Sequence, residues 1–150
     1  MSEKFVAVTG YGLWGRNLVR NFYNLQALHT VCDLDFENLK LVKESYPDVH
    51  LTSDFDSLLA SDEIKAIVIA TPSHTHYPLV KKALLAGKNV YVEKPIATKS
   101  AEVEDLSKIA QENKLTLMVG HLLLYHPYKK NRSTLLLRFF FVSGDTPCPP

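Results

Sequence analysis

Cysteine is scarce: Cys32 and Cys148 are the only two among 150 residues. Two distant thiols without a secretory leader make no disulfide framework. Cys32 sits in an apolar run and is expected to pack as a small hydrophobe. An excess of one charge is lacking too. The formal net charge is +1, so neither nucleic acid nor an anionic membrane is indicated as a partner. No apolar run approaches the roughly 20 residues of a membrane span. The start, MSEKFVAV, has no basic segment leading into an apolar one, so no signal peptide is expected and the cytoplasm is the expected address. Internal repeats and low-complexity linkers are absent. What is left is the composition of an ordinary soluble globular domain.

Strand-like and helix-like patterns alternate from the start. Residues 5–9 are a short apolar run before glycines. Residues 13–25 put Trp14, Leu18, Val19, Phe22 and Leu25 on one helical face. Residues 28–32 read as a strand. Residues 35–46 read as a helix with Asp35 as N-cap and Pro47 as its stop. Residues 50–51 suggest a short strand and 54–60 one or two helical turns. Residues 66–70, AIVIA, form a continuous apolar run, as in a strand buried on both faces. Residues 78–86 predict a helix with Leu79, Val80, Ala83 and Leu84 inward and Gly87 ending it. A strand at 90–92 follows. Ser100 is expected to cap a helix whose core face is Val103, Leu106, Ile109 and Ala110. A last strand, 115–119, is closed by Gly120. This order predicts an α/β fold, a doubly wound parallel sheet of about six strands.

Residues 1–127 are expected to form one domain, and 128–150 an atypical tail. The tail, YKKNRSTLLLRFFFVSGDTPCPP, carries Lys129, Lys130 and Arg132, then an apolar run from Leu135 to Val142 broken only by Arg138. Such a run has strong β-propensity and is sticky if exposed. An oligomer in which this strand pairs between chains is one expectation it raises.

Glycine is sparse as well, yet three of the six glycines fall within six residues: Gly10, Gly12 and Gly15 of GYGLWG. The pattern G-x-G-x-x-G is weak alone. Here a strand precedes it, a helix follows, and an acid, Asp33, closes the next strand about 20 residues on. Gly10 permits a tight turn, Gly12 lets a pyrophosphate approach the backbone, and Gly15 lets the helix sit close. The first helical amides then face the phosphates with a favourable dipole. Asp33 can accept from the adenosine ribose. The plainer alternative is a helix start with turn glycines and a solvated Asp33 acting as a cap. Asp33 also bears on the choice of dinucleotide. A 2′-phosphate about 4 Å away would cost roughly 1–4 kcal/mol per charge pair, and no arginine follows in CDLDFEN. NAD is therefore expected over NADP.

Ligands in open α/β sheets sit beyond the carboxyl ends of the strands. Three later ends carry polar groups. In ATPSHTHYP, Pro72 stiffens the loop while Thr71, Ser73, His74 and His76 can hydrogen-bond a cofactor or simply cap the next helix. Two imidazoles without further ligands make a poor metal site, and none is expected. In YVEKPIAT, Glu93 and Lys94 leave a strand together before Pro95. Lys94 could stabilise charge or shuttle a proton, or the two could be a solvated surface pair. In VGHLLLYHP, His121, Tyr125 and His126 lie just past a strand end.

Taken in order, GxGxxG, the acid, ATPSHTH, EKP, and GH followed by YHP resemble the N-terminal domain of the Gfo/Idh/MocA oxidoreductases over about residues 4–127. GLWGRNLVRNF and GHLLLYHP look most like members acting on nucleotide-linked amino sugars. EKP is the most specific element. The resemblance implies a Rossmann domain that binds NAD or NADP and oxidises a sugar or nucleotide-sugar hydroxyl by hydride transfer. It implies that Gly10, Gly12, Leu13, Trp14 and Gly15 line the phosphates and Asp33 the ribose. Thr71, Pro72, Ser73 and His76 would lie along the cofactor. Glu93 and Lys94 would stand at the nicotinamide, with Lys94 as the catalytic lysine, and His121 near the reactive end. It also implies a cis bond at Lys94–Pro95. Family members continue into a second α/β domain, which the tail from Tyr128 does not resemble. The expectation is a truncated or frame-shifted product, or a piece of a longer chain, that binds cofactor without appreciable turnover. The alternative is a non-catalytic dinucleotide-sensing module, which would need no Lys94.

Overall fold

The computed structural model describes residues 4–120 and the backbone of residues 141–142. The chain divides into two compact units, Met1–Pro72 and Ser73–Pro150.

The first unit runs β1 (Val6–Thr9), α1 (Leu13–Asn24), β2 (Leu28–Cys32), α2 (Phe36–Ser45), β3 (His50–Thr52), α3 (Phe55–Ala60) and β4 (Ala66–Ile69). β1 pairs in parallel with β2 on one side and β4 on the other, and β3 pairs in parallel with β2. Val6, Ala7 and Val8 are buried, which is why the strand shows no polar alternation. Register aligns the strand ends. Thr9 lies opposite both Cys32 and Ile69, and Cys32 lies opposite Thr52. The loops after β1, β2 and β4 therefore leave the sheet at one level.

Local chemistry sets the helix starts here. Asp35 caps α2 by accepting from the Glu37 amide at 3.0 Å, and Asp54 caps α3 by accepting from the Asp56 amide at 3.0 Å. The predicted apolar face of α1 needs correction. Val19 is fully buried, but Trp14 is 50% exposed and Leu25 69% exposed. Both lie in terminal turns, beyond the middle of the helix that Gly15 and Val19 press inward.

The second unit opens with a 3₁₀ turn, Ser73–Thr75, then α4 (His76–Leu85), β5 (Asn89–Glu93), α5 (Ser100–Glu112), β6 (Leu117–Gly120) and β7 (Phe141–Val142). β5 and β6 are parallel, with Glu93 opposite Gly120. β7 runs antiparallel to β6 of the same chain, with Phe141 opposite Met118 and Val142 opposite Leu117. The strands β1 to β6 and their helices thus follow the α/β order the sequence predicts, while β7 adds an antiparallel pairing it did not. Residues 128–140 and 143–150 of the tail lie outside the described residues.

α4 begins two residues before Pro78. Proline is harmless there because first-turn amides have no intrahelical acceptor. It ends as predicted at Gly87, whose φ is +75°. The amides of Gly87 and Lys88 donate back to Leu84 and Ala83, each at 3.0 Å. Ser100 is not the cap of α5 but its first residue. Lys99 is the cap, and its carbonyl accepts from the Glu102 and Val103 amides. Leu106, Ile109 and Ala110 form the buried face, while Val103 is half-buried. Tyr77 and Lys81 of α4 both donate to the Asp105 carboxylate of α5, at 2.9 and 2.8 Å.

Candidate functional site

The aligned ends of β1, β2 and β4 build a cradle around the glycine loop. The Gly10 amide donates to the Cys32 carbonyl at 2.8 Å, and the Ala70 amide donates to the Thr9 carbonyl at 2.8 Å. Gly10 has φ +92°, and a Cβ there would lie 2.7 Å from the Ala70 oxygen and 3.0 Å from the Thr71 nitrogen. Only glycine fits both the angle and the space. Gly15 is needed for a different reason. A Cβ on it would lie 1.9 Å from the Gly10 oxygen, so its bare backbone lets the first turn of α1 close on the loop itself.

Gly12 differs from both. It is the N-cap of α1, its φ of −71° suits any residue, and a Cβ on it would meet nothing within 4 Å. The fold therefore does not require glycine at this position. The first turn of α1 holds no acidic residue and no capping side chain. Leu13 and Trp14 on that turn are 83% and 50% exposed. Bare backbone faces open space at the positive end of a 12-residue helix.

Asp33 closes the cradle. Its Oδ2 accepts from the Tyr11 amide at 2.6 Å and from Asn38 Nδ2 at 3.3 Å, and its Oδ1 accepts from the Asp35 amide at 2.8 Å. Its own amide donates to the Thr52 carbonyl at 3.1 Å. Asp33 is thus not the cap of α2, which is Asp35. It pins the glycine loop to the end of β2. The Arg16 guanidinium lies 5.5 Å from the centre of the Tyr11 ring, and burial holds the Tyr11 phenol above its ordinary range. Cys32 is buried as expected, and its thiol is pushed up to about 12, by burial first and then by Asp33 and Asp54. The Thr9 hydroxyl, at the strand end, is a buried oxygen with no hydrogen-bond partner among the described residues. Thr71 is half-buried and Pro72 exposed.

In the second unit, Ser73 and His74 are exposed on the 3₁₀ turn. His76 is 1% exposed, and its Nδ1 lies 2.6 Å from the Pro95 carbonyl oxygen. A carbonyl can only accept, so Nδ1 carries the proton. Glu93 is buried at the end of β5, where its Oε1 accepts from the Tyr91 hydroxyl at 3.0 Å. Gly120 lies beneath this pair. A Cβ on it would sit 2.3 Å from the Tyr91 oxygen and 2.8 Å from Glu93 Oε1. Lys94 is exposed, and the Lys94–Pro95 bond is cis. His121, Tyr125 and His126 lie outside the described residues. No group of three His, Cys, Asp or Glu among the described residues is placed to hold a metal ion.

Sequence reasoning missed Asn38 and the Tyr11 amide. Asn38 falls one turn after the Asp35 cap, and that spacing is the only signal it leaves. The bond from His76 to Pro95 leaves none.

This cradle, strand end and EKP turn carry the mark of a family. The oxidoreductase family with an NAD-binding Rossmann fold, Gfo/Idh/MocA, matches residues 4–121. The chain belongs to that family. It is 32% identical over 117 residues to 2,7-anhydro-N-acetylneuraminate hydratase of Mediterraneibacter gnavus, covering 78% of this chain and 31% of that protein. The crystal structure of UDP-N-acetylglucosamine 3-dehydrogenase GnnA from Acidithiobacillus ferrooxidans superposes with a TM-score of 0.78 at 30% identity. That match covers 87% of this chain and 42% of the other. GenD2 from gentamicin A biosynthesis, crystallised in complex with NAD, gives a TM-score of 0.76 at 30% identity, over 85% and 37% of the two chains. The chain spans about a third of the length of the curated relatives it matches.

The cradle fits the dinucleotide that the family's description implies. Among the described glycines, the one that neither space nor φ requires, Gly12, is the one a pyrophosphate would. No acidic side chain competes for the first turn of α1.

Proposed function

We propose that the first unit binds the adenosine diphosphate part of a nicotinamide dinucleotide, NAD in preference to NADP. In this reading the chain is the cofactor-binding part of a sugar or nucleotide-sugar dehydrogenase. The open space at Gly12, over an uncapped helix start, is the observation that carries it. The kinship with GnnA, named a UDP-N-acetylglucosamine 3-dehydrogenase, supports the substrate class.

When bound, the dinucleotide would supply a nicotinamide able to accept hydride from a sugar carbon. The chain's own residues bind, orient and move the proton. The backbone from Gly10 to Gly15 receives the pyrophosphate, and Leu13 and Trp14 screen it from water. Asp33 Oδ1 accepts a ribose hydroxyl and repels a 2′-phosphate. Thr71, Pro72, Ser73 and His76 are assigned along the cofactor, His76 through its hold on the Pro95 carbonyl. Glu93 and Lys94 are assigned to the nicotinamide end. Lys94 is assigned to stabilise the negative charge on the sugar oxygen or to shuttle its proton, and His121 is assigned to the reactive end. Substrate positioning and exclusion of water demand more enclosure than one such domain offers. This chain alone is therefore assigned cofactor binding without appreciable turnover.

Trp14 is the only tryptophan, and it sits on the first turn of α1, so its fluorescence reports directly on the cradle. Titration with NAD is expected to change it saturably, at lower concentrations than NADP. No response up to millimolar NAD, from protein that melts cooperatively, overturns the reading. Sugar-dependent NADH formation by the purified chain overturns the assignment of binding without turnover.

A further inference from the structure

Resting on the dinucleotide reading above, we propose that Asn38 is a positioning residue that sharpens the choice of NAD over NADP by fixing the Asp33 carboxylate. An ionised carboxylate offers about four acceptor positions. Three are filled among the described residues: Tyr11 N–H and Asn38 Nδ2–H on Oδ2, and Asp35 N–H on Oδ1. The remaining position is on Oδ1, enough for one ribose hydroxyl.

The three donors also remove the freedom of the carboxylate to turn. The terminal torsion of an aspartate is otherwise broad. A loosely held carboxylate could swing its charge away from an incoming 2′-phosphate. The Tyr11 and Asp35 amides hold one position on each oxygen, and Asn38 fills the second position on Oδ2 and narrows that swing further. A 2′-phosphate is mostly the dianion at neutral pH, with few protons to offer. Two of the grips are backbone amides, which only a change to proline would remove. Asn38, half-buried on the first turn of α2, is the one grip made by a side chain. It selects by holding Asp33 still, without needing to touch the cofactor.

The test is a calorimetric titration of the full chain with NAD and with NADP, for wild type, Asn38→Ala and Asn38→Leu. Both replacements are better helix formers than asparagine, so α2 is retained, and thermal melts run alongside confirm it. Loss of one hydrogen bond to a charged group, long at 3.3 Å, is expected to weaken NAD binding about threefold to tenfold. NADP affinity should hold or rise, so that the preference ratio narrows in both variants. An equal loss for both dinucleotides, as a merely structural role would give, overturns the proposal. So does no change in either affinity. If folded wild-type protein binds neither dinucleotide, the reading it rests on fails first, which is a separate and visible outcome.

Discussion

Gly12→Ala and Gly15→Ala, three residues apart, are expected to fail in opposite ways. At Gly12 the added methyl meets nothing within 4 Å, and the backbone already has an ordinary φ of −71°. Restricting the unfolded chain favours alanine by ~0.4–1 kcal/mol, while alanine is a poorer N-cap than glycine by a similar amount. Folding stability should therefore change by less than ~0.5 kcal/mol. The same methyl stands where the pyrophosphate must approach. Loss of one hydrogen bond to a charged oxygen is worth ~1.5–3 kcal/mol, so NAD affinity should fall roughly tenfold to hundredfold. At Gly15 the methyl would lie 1.9 Å from the Gly10 oxygen, against backbone that cannot rotate away. Overpacking of this kind costs ~1–3 kcal/mol, which lowers the melting temperature by roughly 2–10 °C in a domain of this size. Circular-dichroism melts and NAD titrations of the two variants measure both quantities. A Gly12→Ala protein that binds NAD as wild type does, or a Gly15→Ala protein as stable as wild type, refutes the reasoning.

Other expectations follow from single groups. His29 is held below its ordinary value, by burial first and then by the stacked His50 ring 4.8 Å away, with Glu63 opposing. The unfolded chain then binds the proton more readily, so stability is constant above the unfolded value of 6.5 and is lost as pH falls below it. Urea midpoints at pH 7.5 and 5.5 should differ less in His29→Gln than in wild type. In a Cys148→Ser protein, Cys32, with its thiol near 12 and buried, should resist a chromogenic disulfide reagent at pH 8 until the protein is denatured. Rapid labelling of the native form counts against its burial. Thr9→Val removes a buried hydroxyl that has no partner among the described residues and should stabilise by ~1 kcal/mol. A lower melting temperature would show that the hydroxyl is satisfied.

The parts of the cradle that were legible in the sequence are those set by local covalent constraint. Gly10 announces a left-handed turn, Asp35 a cap, Gly87 a helix end, and each stands where the pattern places it. Parallel strands buried on both faces show as runs such as AIVI. The spacing from Gly15 to Asp33 joined the two ends of the cradle because one crossover helix of ordinary length separates them. What was illegible depends on partners distant in sequence. His76 read as a polar loop residue, but it is buried with its Nδ1–H donating to the Pro95 carbonyl, 19 residues on. Glu93 read as half of a solvated pair or as a group at the nicotinamide, and its bond to Tyr91 over Gly120 depends on the register of β5 with β6. Periodicity put Trp14 and Leu25 on the apolar face of α1, but both are exposed, Trp14 on the first turn and Leu25 at the C-cap.

Dinucleotide binding at the cradle depends on the contact between a diphosphate and the backbone at the start of α1. Backbone amide NMR of the 15N-labelled chain, titrated with NAD, reads that contact residue by residue. The predicted result is a saturable set of shifts concentrated on Gly10 to Gly15 and on Asp33 to Asp35. A cradle whose amides stay unmoved at saturating NAD, or shifts gathered elsewhere on the chain, contradicts it.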